Sequence, residues 1–237
     1  MTDTPAALRE AHHADVSGGR LRPAVFGAMD GLVTNIALIA GVGGGGVSPR
    51  TVVLAGTAGL VAGAISMGLG EYTSVRSANE QVTAEVAKER RELERHPEAE
   101  ARELADAWVA RGLPRDLATQ VAEAVRRNPE EALRVHVREE LGVDPDDQPS
   151  PWVAAVSSFL FFSVGALVPL LPYLLGLTSL WLALGVGGLG LFLAGAVVAR
   201  FTSRPWWSSG LRQLLLGVLA AVATYAIGAL IGIQGGG

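Results

Sequence analysis

Apolar and polar residues fall along this chain in long blocks. Five stretches, at about 24–43, 51–73, 152–176, 179–199 and 210–233, are each apolar over roughly the 20 residues a helix needs to cross a bilayer core. The first two are joined by GVGGGGVSPR and the third and fourth by a turn near Gly176 to Ser179, so each pair is predicted to form a helical hairpin of neighbours. Small residues recur at four-residue spacing, Gly27 with Gly31 and Gly59 with Gly63, which would let helix backbones approach closely in lipid. Between the second and third apolar stretches the pattern changes. From Glu71 the second helix can continue as a polar helix to about Glu94, a further helix restarts near Glu98, another follows Pro114, and a last one runs from about Pro129 to Leu141 and ends at Gly142. Ala, Leu, Val and Trp108 recur at helical spacing among the charges, enough for a small bundle, and DPDDQPSP reads as a linker into the third span.

Composition sharpens this picture. Apolar residues make up 49% of the 237 residues, and the mean hydropathy is positive, as expected of a chain that meets lipid. Charged residues crowd between Arg76 and Asp147 and are sparse on either side. The net charge of −4 with acids and bases intermixed argues against a nucleic-acid partner. The absence of cysteine excludes disulfides, thiolate metal sites and cysteine nucleophiles. The first twenty residues contain Asp3, Glu10 and Asp15 and no apolar run, so no secretory signal is expected there. Arg9, Arg20 and Arg22 precede the first span, and Arg200, Arg204 and Arg212 bracket the connection between the fourth and fifth, whereas Arg50 alone occupies the other short loops. The positive-inside rule therefore predicts a cytoplasmic amino terminus, a cytoplasmic insert and an external carboxyl terminus, with Trp152, Trp181, Trp206 and Trp207 at the interfaces. The expected fold is all-α: a polytopic membrane protein with five transmembrane helices and a small cytoplasmic helical domain between the second and third. Its segments are a tail at 1–22, spans one and two at 23–74, the cytoplasmic domain at 75–148 and spans three to five at 149–237.

Ionisable groups inside the spans are few, and each is a functional candidate, because a charge at mid-membrane is costly unless paired or hydrated. Asp30 lies roughly 10 Å along the first span from its cytoplasmic end, and Met67 roughly 9 Å from that of the second. Glu71 follows Met67 by one helical turn on the same face. A carboxylate beside a thioether suits Fe²⁺, Mn²⁺ or a neighbour in that row, since oxygen favours hard ions and sulfur adds a softer preference. The alternatives are an apolar filler role for Met67, a structural pairing of Asp30 with a backbone group or Asn35, and an interfacial, hydrated carboxylate at Glu71. In the insert, Glu85, Glu89 and Glu92 share a helical face and Glu100 with Glu103 form a pair on the next helix, so two antiparallel helices could assemble several oxygen ligands. Lys88, Arg90, Arg91, Arg95 and Arg102 are interspersed, so a salt-bridged solvated face is the competing reading. His96 and His136 could be ligands, but on charged helices they read as surface residues. The spans carry no paired aspartates, zinc-type histidine motif or Ser/Lys constellation, so no enzyme is expected.

The strings AVFGAMDGLVTNIALIAGV, AGAISMGLGEYTSVRSANE, VGALVPLLPYLLG and SGLRQLLLGVLAAVATYAIGALIG together resemble the vacuolar iron transporter family, over nearly everything from Arg22 onward. The resemblance implies a homodimer with five spans per subunit that exchanges cytosolic Fe²⁺ or Mn²⁺ for protons along a path at the interface. It further implies pore ligands at Asp30 and Met67, with Glu71 in the GEY string, and a metal-binding set of Glu89, Glu92, Glu100, Glu103 and Glu140 in the insert. Retention of all five glutamates favours metal binding over a salt-bridged face. His136 departs from the pattern, because better-studied members carry methionine there. The short stretch before the first span leaves no ferritin-like domain there, and the insert is one that the nodulin-like branch lacks. No prosthetic group is implied; the ions are cargo, with Co²⁺ and Zn²⁺ as further candidates. The expected setting is a bacterial plasma membrane, and a metal-sensing membrane scaffold that binds ions without moving them is the alternative.

Overall fold

The computed structural model describes residues 21–201 and 204–235. The basic residues Arg9 and Arg20 and the acids Asp3, Glu10 and Asp15 lie outside them. The described residues form eight α-helices and no strand: α1 (Leu21–Gly44), α2 (Pro49–Arg95), α3 (Pro97–Ala110), α4 (Arg115–Arg126), α5 (Pro129–Leu141), α6 (Pro151–Leu174), α7 (Leu180–Val198) and α8 (Trp206–Gly235), with a 3-10 turn at Ala199–Phe201. Five of these, α1, α2, α6, α7 and α8, are long and apolar enough to cross a membrane. Large apolar side chains such as Leu54, Leu69, Leu189 and Leu219 stand exposed on them, as surfaces made for lipid require. α8 begins earlier than the apolar pattern alone suggests, at Trp206. Pro205 immediately precedes it, and its carbonyl accepts from the Ser208 and Ser209 amides at 3.1 and 3.2 Å.

The described residues divide into two compact units, one reaching from α1 to Met67 and from Val156 to α8, and the other spanning Gly68–Ala155. In the first, α1 is the central element. Along α1, Gly27 and Gly31 lie against the backbone of α6 near Ser158 and Phe162; a β-carbon at Gly27 would stand 2.8 Å from the Ser158 carbonyl, and one at Gly31 would collide with that of Phe162. Further along, Gly41 and Gly228 bring α1 and α8 into backbone contact. In lipid, where apolar surface gives little reason for helices to associate, such close approach and the hydrogen bonds it permits hold a bundle together. Two side chains supply such bonds: the buried Ser158 hydroxyl donates to the Pro23 carbonyl at 3.3 Å, and the buried Asn35 amide to the Ala166 carbonyl at 2.5 Å. The second small-residue pair behaves differently. Gly59 and Gly63 face the Leu38 side chain and the Phe162 ring, so they make room for side chains. The tight turns expected after α1 and α6 are present, each with a glycine at positive φ, Gly46 and Gly176, where other residues are strained.

The second unit comprises the polar half of α2, then α3, α4, α5 and the start of α6. α2 is 47 residues long, about 70 Å at 1.5 Å per residue, so it runs far past the length a span needs. It stops at Arg95 because the next residue precedes a proline, which disfavours helical backbone there. α3 and α4 close over Ala101, Leu104, Ala105, Ala118 and Ala122, with Trp108, Leu113 and Val135 packed against them. α5 is delimited at both ends by its sequence. The Asn128 side chain accepts from the Glu131 amide, Pro129 occupies the first turn, and Gly142 ends it in the left-handed conformation. The linker after α5 is tied to α2 where Asn79 donates to the Pro149 carbonyl at 2.9 Å and where Tyr72 packs on Trp152 with ring centroids 4.8 Å apart.

Replacing Gly31 by valine forces a branched side chain into the α6 backbone, which cannot rotate away, whereas Gly185 has open space where a β-carbon would go. Gly31→Val is expected to destabilise the detergent-solubilised protein by about 3 kcal/mol or more, and Gly185→Ala to leave it nearly unchanged. Thermal unfolding of both variants beside the wild type checks this; equal melting temperatures would refute the close packing of α1 on α6.

Candidate metal centre

Three helices of the insert converge on one point. α2 contributes Glu89, α3 contributes Glu100, and α5 contributes His136 and, one turn later, Glu140. The first two arrive together because the break at Pro97 allows α3 to fold back on α2, and the last two share a face because they are four residues apart on a helix. One ligand atom from each of the four residues lies within 4.8 Å of those of the others. His136 is at the centre. Its Nδ1 stands 3.2 Å from Glu140 Oε1, 3.3 Å from Glu89 Oε1 and 3.8 Å from Glu100 Oε2. The His136 side chain is 3% exposed, Glu89 and Glu100 are partly buried at 13% and 12%, and Glu140 opens toward the surface at 39%.

The position of His136 corrects the expectation of a surface residue: it is buried. The signal was present in the sequence, because Ala132, Leu133, His136 and Val137 form the buried stripe of α5 at 3–4 residue spacing, with the histidine in an apolar position. Glu92 and Glu103 border the group without joining its tight centre, and their negative charges act on it. Glu85 stands apart on the surface with Lys88 at 3.8 Å.

The electrostatics follow from where the bases went. Arg90 binds Glu130 at 2.8 Å, Arg102 donates to the Glu98 backbone carbonyl at 3.1 Å, and Arg111 pairs with Glu139. Among the described residues no lysine or arginine lies within ion-pairing distance of Glu89, Glu92, Glu100, Glu103 or Glu140. The salt-bridged face exists, therefore, but it is built from other acids. Burial, followed by the charges of Glu140, Glu100 and Glu103, pushes the Glu89 carboxyl up to about 7. Burial and Glu103 also raise Glu100, with His136 opposing them. Glu89 Oε1 is buried and, among the described residues, has no hydrogen-bond donor beyond the His136 ring 3.3 Å away. A convergent, electron-rich, under-donated group of this kind attracts a cation, and its oxygens with one imidazole nitrogen are donors suited to first-row divalent ions.

Within the spans, Asp30 is half-buried and accepts from the Thr34 hydroxyl at 3.4 Å, one turn along its own helix. Asn35, considered from sequence as its partner, is engaged with Ala166 instead, and its Oδ1 is left without a partner. Met67 packs against the cluster of Ala64, Phe162 and Ala166. Gly31, next to Asp30 in sequence, abuts the backbone of Phe162 and Ala166 too. Glu71, four positions beyond Met67 along α2, is half-buried, with no lysine or arginine in ion-pairing distance among the described residues.

Comparison with known proteins accords with this arrangement. Residues 21–229 match the model of the VIT family. The chain is 32% identical over 233 residues to vacuolar iron transporter 1 of Oryza sativa subsp. japonica, covering 96% of this chain and 92% of that protein. It is 35% identical over 236 residues to a vacuolar iron transporter of Acanthamoeba castellanii, covering 95% and 84%, and 30% identical over 226 residues to vacuolar iron transporter 1 of Arabidopsis thaliana, covering 93% and 90%. With matches that run through all five spans and the insert between them, this chain belongs to the vacuolar iron transporter family.

Proposed function

We propose that the protein moves a divalent transition metal, Fe²⁺ or Mn²⁺, out of the cytosol in exchange for protons, the metal being cargo and not a resident cofactor. The observation that carries this reading is the convergence of Glu89, Glu100, Glu140 and His136 with no lysine or arginine partner among the described residues, in a chain with five apolar helices. The names of the relatives, which are vacuolar iron transporters, support metal as the cargo. In this reading the insert is cytoplasmic and its glutamates, Glu92 and Glu103 included, collect ions. Glu71 passes them on to Asp30 and Met67, and two copies of the chain line the path as a homodimer in a plasma membrane. A carboxylate in a poorly solvated path has a high proton affinity when it holds no ion, so metal and proton compete for the same oxygens, and that competition couples the fluxes. A proton-motive force directed inward then drives metal outward.

Three outcomes follow. Asp30→Ala should reduce metal-dependent proton flux in proteoliposomes to the level of protein-free vesicles. Glu100→Ala should instead weaken metal binding to the solubilised protein by about tenfold, the scale on which losses around a metal ligand are felt. Wild-type protein that binds ions but shows no flux would replace this proposal with a sensing scaffold. The third outcome concerns pH in the absence of metal. Glu89 titrates near 7 in the folded protein and near 4.5 when unfolded, so the folded state is the one that holds the proton between these values. Its contribution is complete below about pH 4.5 and is lost as pH rises through about 7, a loss of up to roughly 3 kcal/mol. Denaturant melts in a chelator at pH 5.5 and 8 should show the insert weaker at the higher pH, and Glu89→Gln should flatten that difference; a profile unaltered by Glu89→Gln would count against the assignment.

A further inference from the structure

The collecting role just proposed leaves open which ions the cluster prefers, and the following inference rests on that role. His136 is the deepest of the four convergent residues, and its Nδ1 faces carboxylate oxygens delivered by three separate helices at 3.2, 3.3 and 3.8 Å. Nδ1 carries at most one proton and can satisfy one of those oxygens. It shares a hydrogen bond with Glu140, and the buried Glu89 Oε1 remains without one. Arg90 and Arg111 are paired with Glu130 and Glu139 and Arg102 with a backbone carbonyl, so none of these three supplies a donor to the cluster. The separations have a different natural explanation. Four N and O ligands held tetrahedrally at about 2.0–2.2 Å from an ion stand about 3.4 Å from one another, and the distances around Nδ1 bracket that value.

We infer that His136 ligates the collected ion through Nδ1, and that this one nitrogen shifts the cluster's preference from Mn²⁺ toward the later ions of the row, Fe²⁺, Co²⁺ and Zn²⁺. A site of carboxylates alone suits Mg²⁺, Ca²⁺ and Mn²⁺, whereas imidazole adds affinity for the ions that follow Mn²⁺ in the stability order. The competing role for His136 is a structural one, in which its ring bridges the carboxylates and holds α2, α3 and α5 together. That role predicts a loss of binding that is the same for every ion. The two are separable because only a ligand changes the ratio between ions.

The test is titration of full-length protein in detergent with Mn²⁺, Co²⁺ and Zn²⁺, for the wild type and His136→Gln, read by calorimetry and, for Co²⁺, by its visible absorption. Affinity for Co²⁺ and Zn²⁺ should fall by at least about tenfold, the loss that even outer partners of a metal ligand produce. Affinity for Mn²⁺ should change much less, and the Co²⁺ bands should move as nitrogen leaves the coordination shell. Equal weakening for all three ions, with the Co²⁺ spectrum unmoved, would overturn the assignment of His136 while leaving the collecting role intact. Wild-type protein that binds none of the ions would overturn both. Should His136→Gln not fold, X-ray absorption at the cobalt edge of the wild-type complex decides: imidazole scattering supports the ligand, and its absence refutes it.

Discussion

A carboxylate withdrawn from water keeps its charge only where a cation or a set of donors replaces the lost hydration. The insert withdraws most of Glu89 and Glu100 from water and places them with Glu140 around a single imidazole nitrogen, with Arg90, Arg102 and Arg111 engaged elsewhere. That uncompensated negative charge is the feature on which the rest of the insert depends. Burial and then the charges of its carboxylate neighbours push the Glu89 carboxyl up to about 7, and the group sits in a unit of packed and capped helices. Groups that repel one another can be held together only by helices that cannot drift apart, and the alanine-rich packing of α3 on α4 and the two-ended capping of α5 provide that restraint.

The membrane-embedded unit meets a different constraint. Apolar side chains gain nothing by leaving lipid for one another, so backbone proximity and polar bonds between helices must do the joining. α1 supplies both, through glycines that touch α6 and α8 and through Asn35, which is spent on the Ala166 carbonyl. One consequence bears on the proposed path. With the Asn35 amide committed, Asp30 has, among the described residues, only Thr34 of its own helix as a hydrogen-bonding side chain, and it retains acceptor capacity.

Much of the helical order was legible in advance, because it is written in local quantities. Apolar length marks the spans, proline and glycine mark the breaks at Pro97, Pro114, Pro129 and Gly142, and the one basic side chain within the long apolar runs, Arg212, sits near the start of the last. The reading was weaker where a residue's role depends on what faces it. Gly27 and Gly59 look alike in sequence, yet one meets backbone and the other meets side chains. His136 looked like a surface residue because the helix that carries it is rich in charges, although it falls on the buried stripe with Ala132, Leu133 and Val137.

The sequence by itself determined an all-helical chain with five bilayer-length segments and a charged helical insert, since helix formation and hydrophobic length are properties of consecutive residues. It also supplied the acids from which a metal centre could be drawn. Only the tertiary structure decided which of them converge, that arginines neutralise Glu130 and Glu139 and leave Glu89 bare, and that a histidine sits among them. The reason is physical: pairing and burial are set by distances between helices that are far apart in the chain, and the spacing of residues along one helix does not encode them.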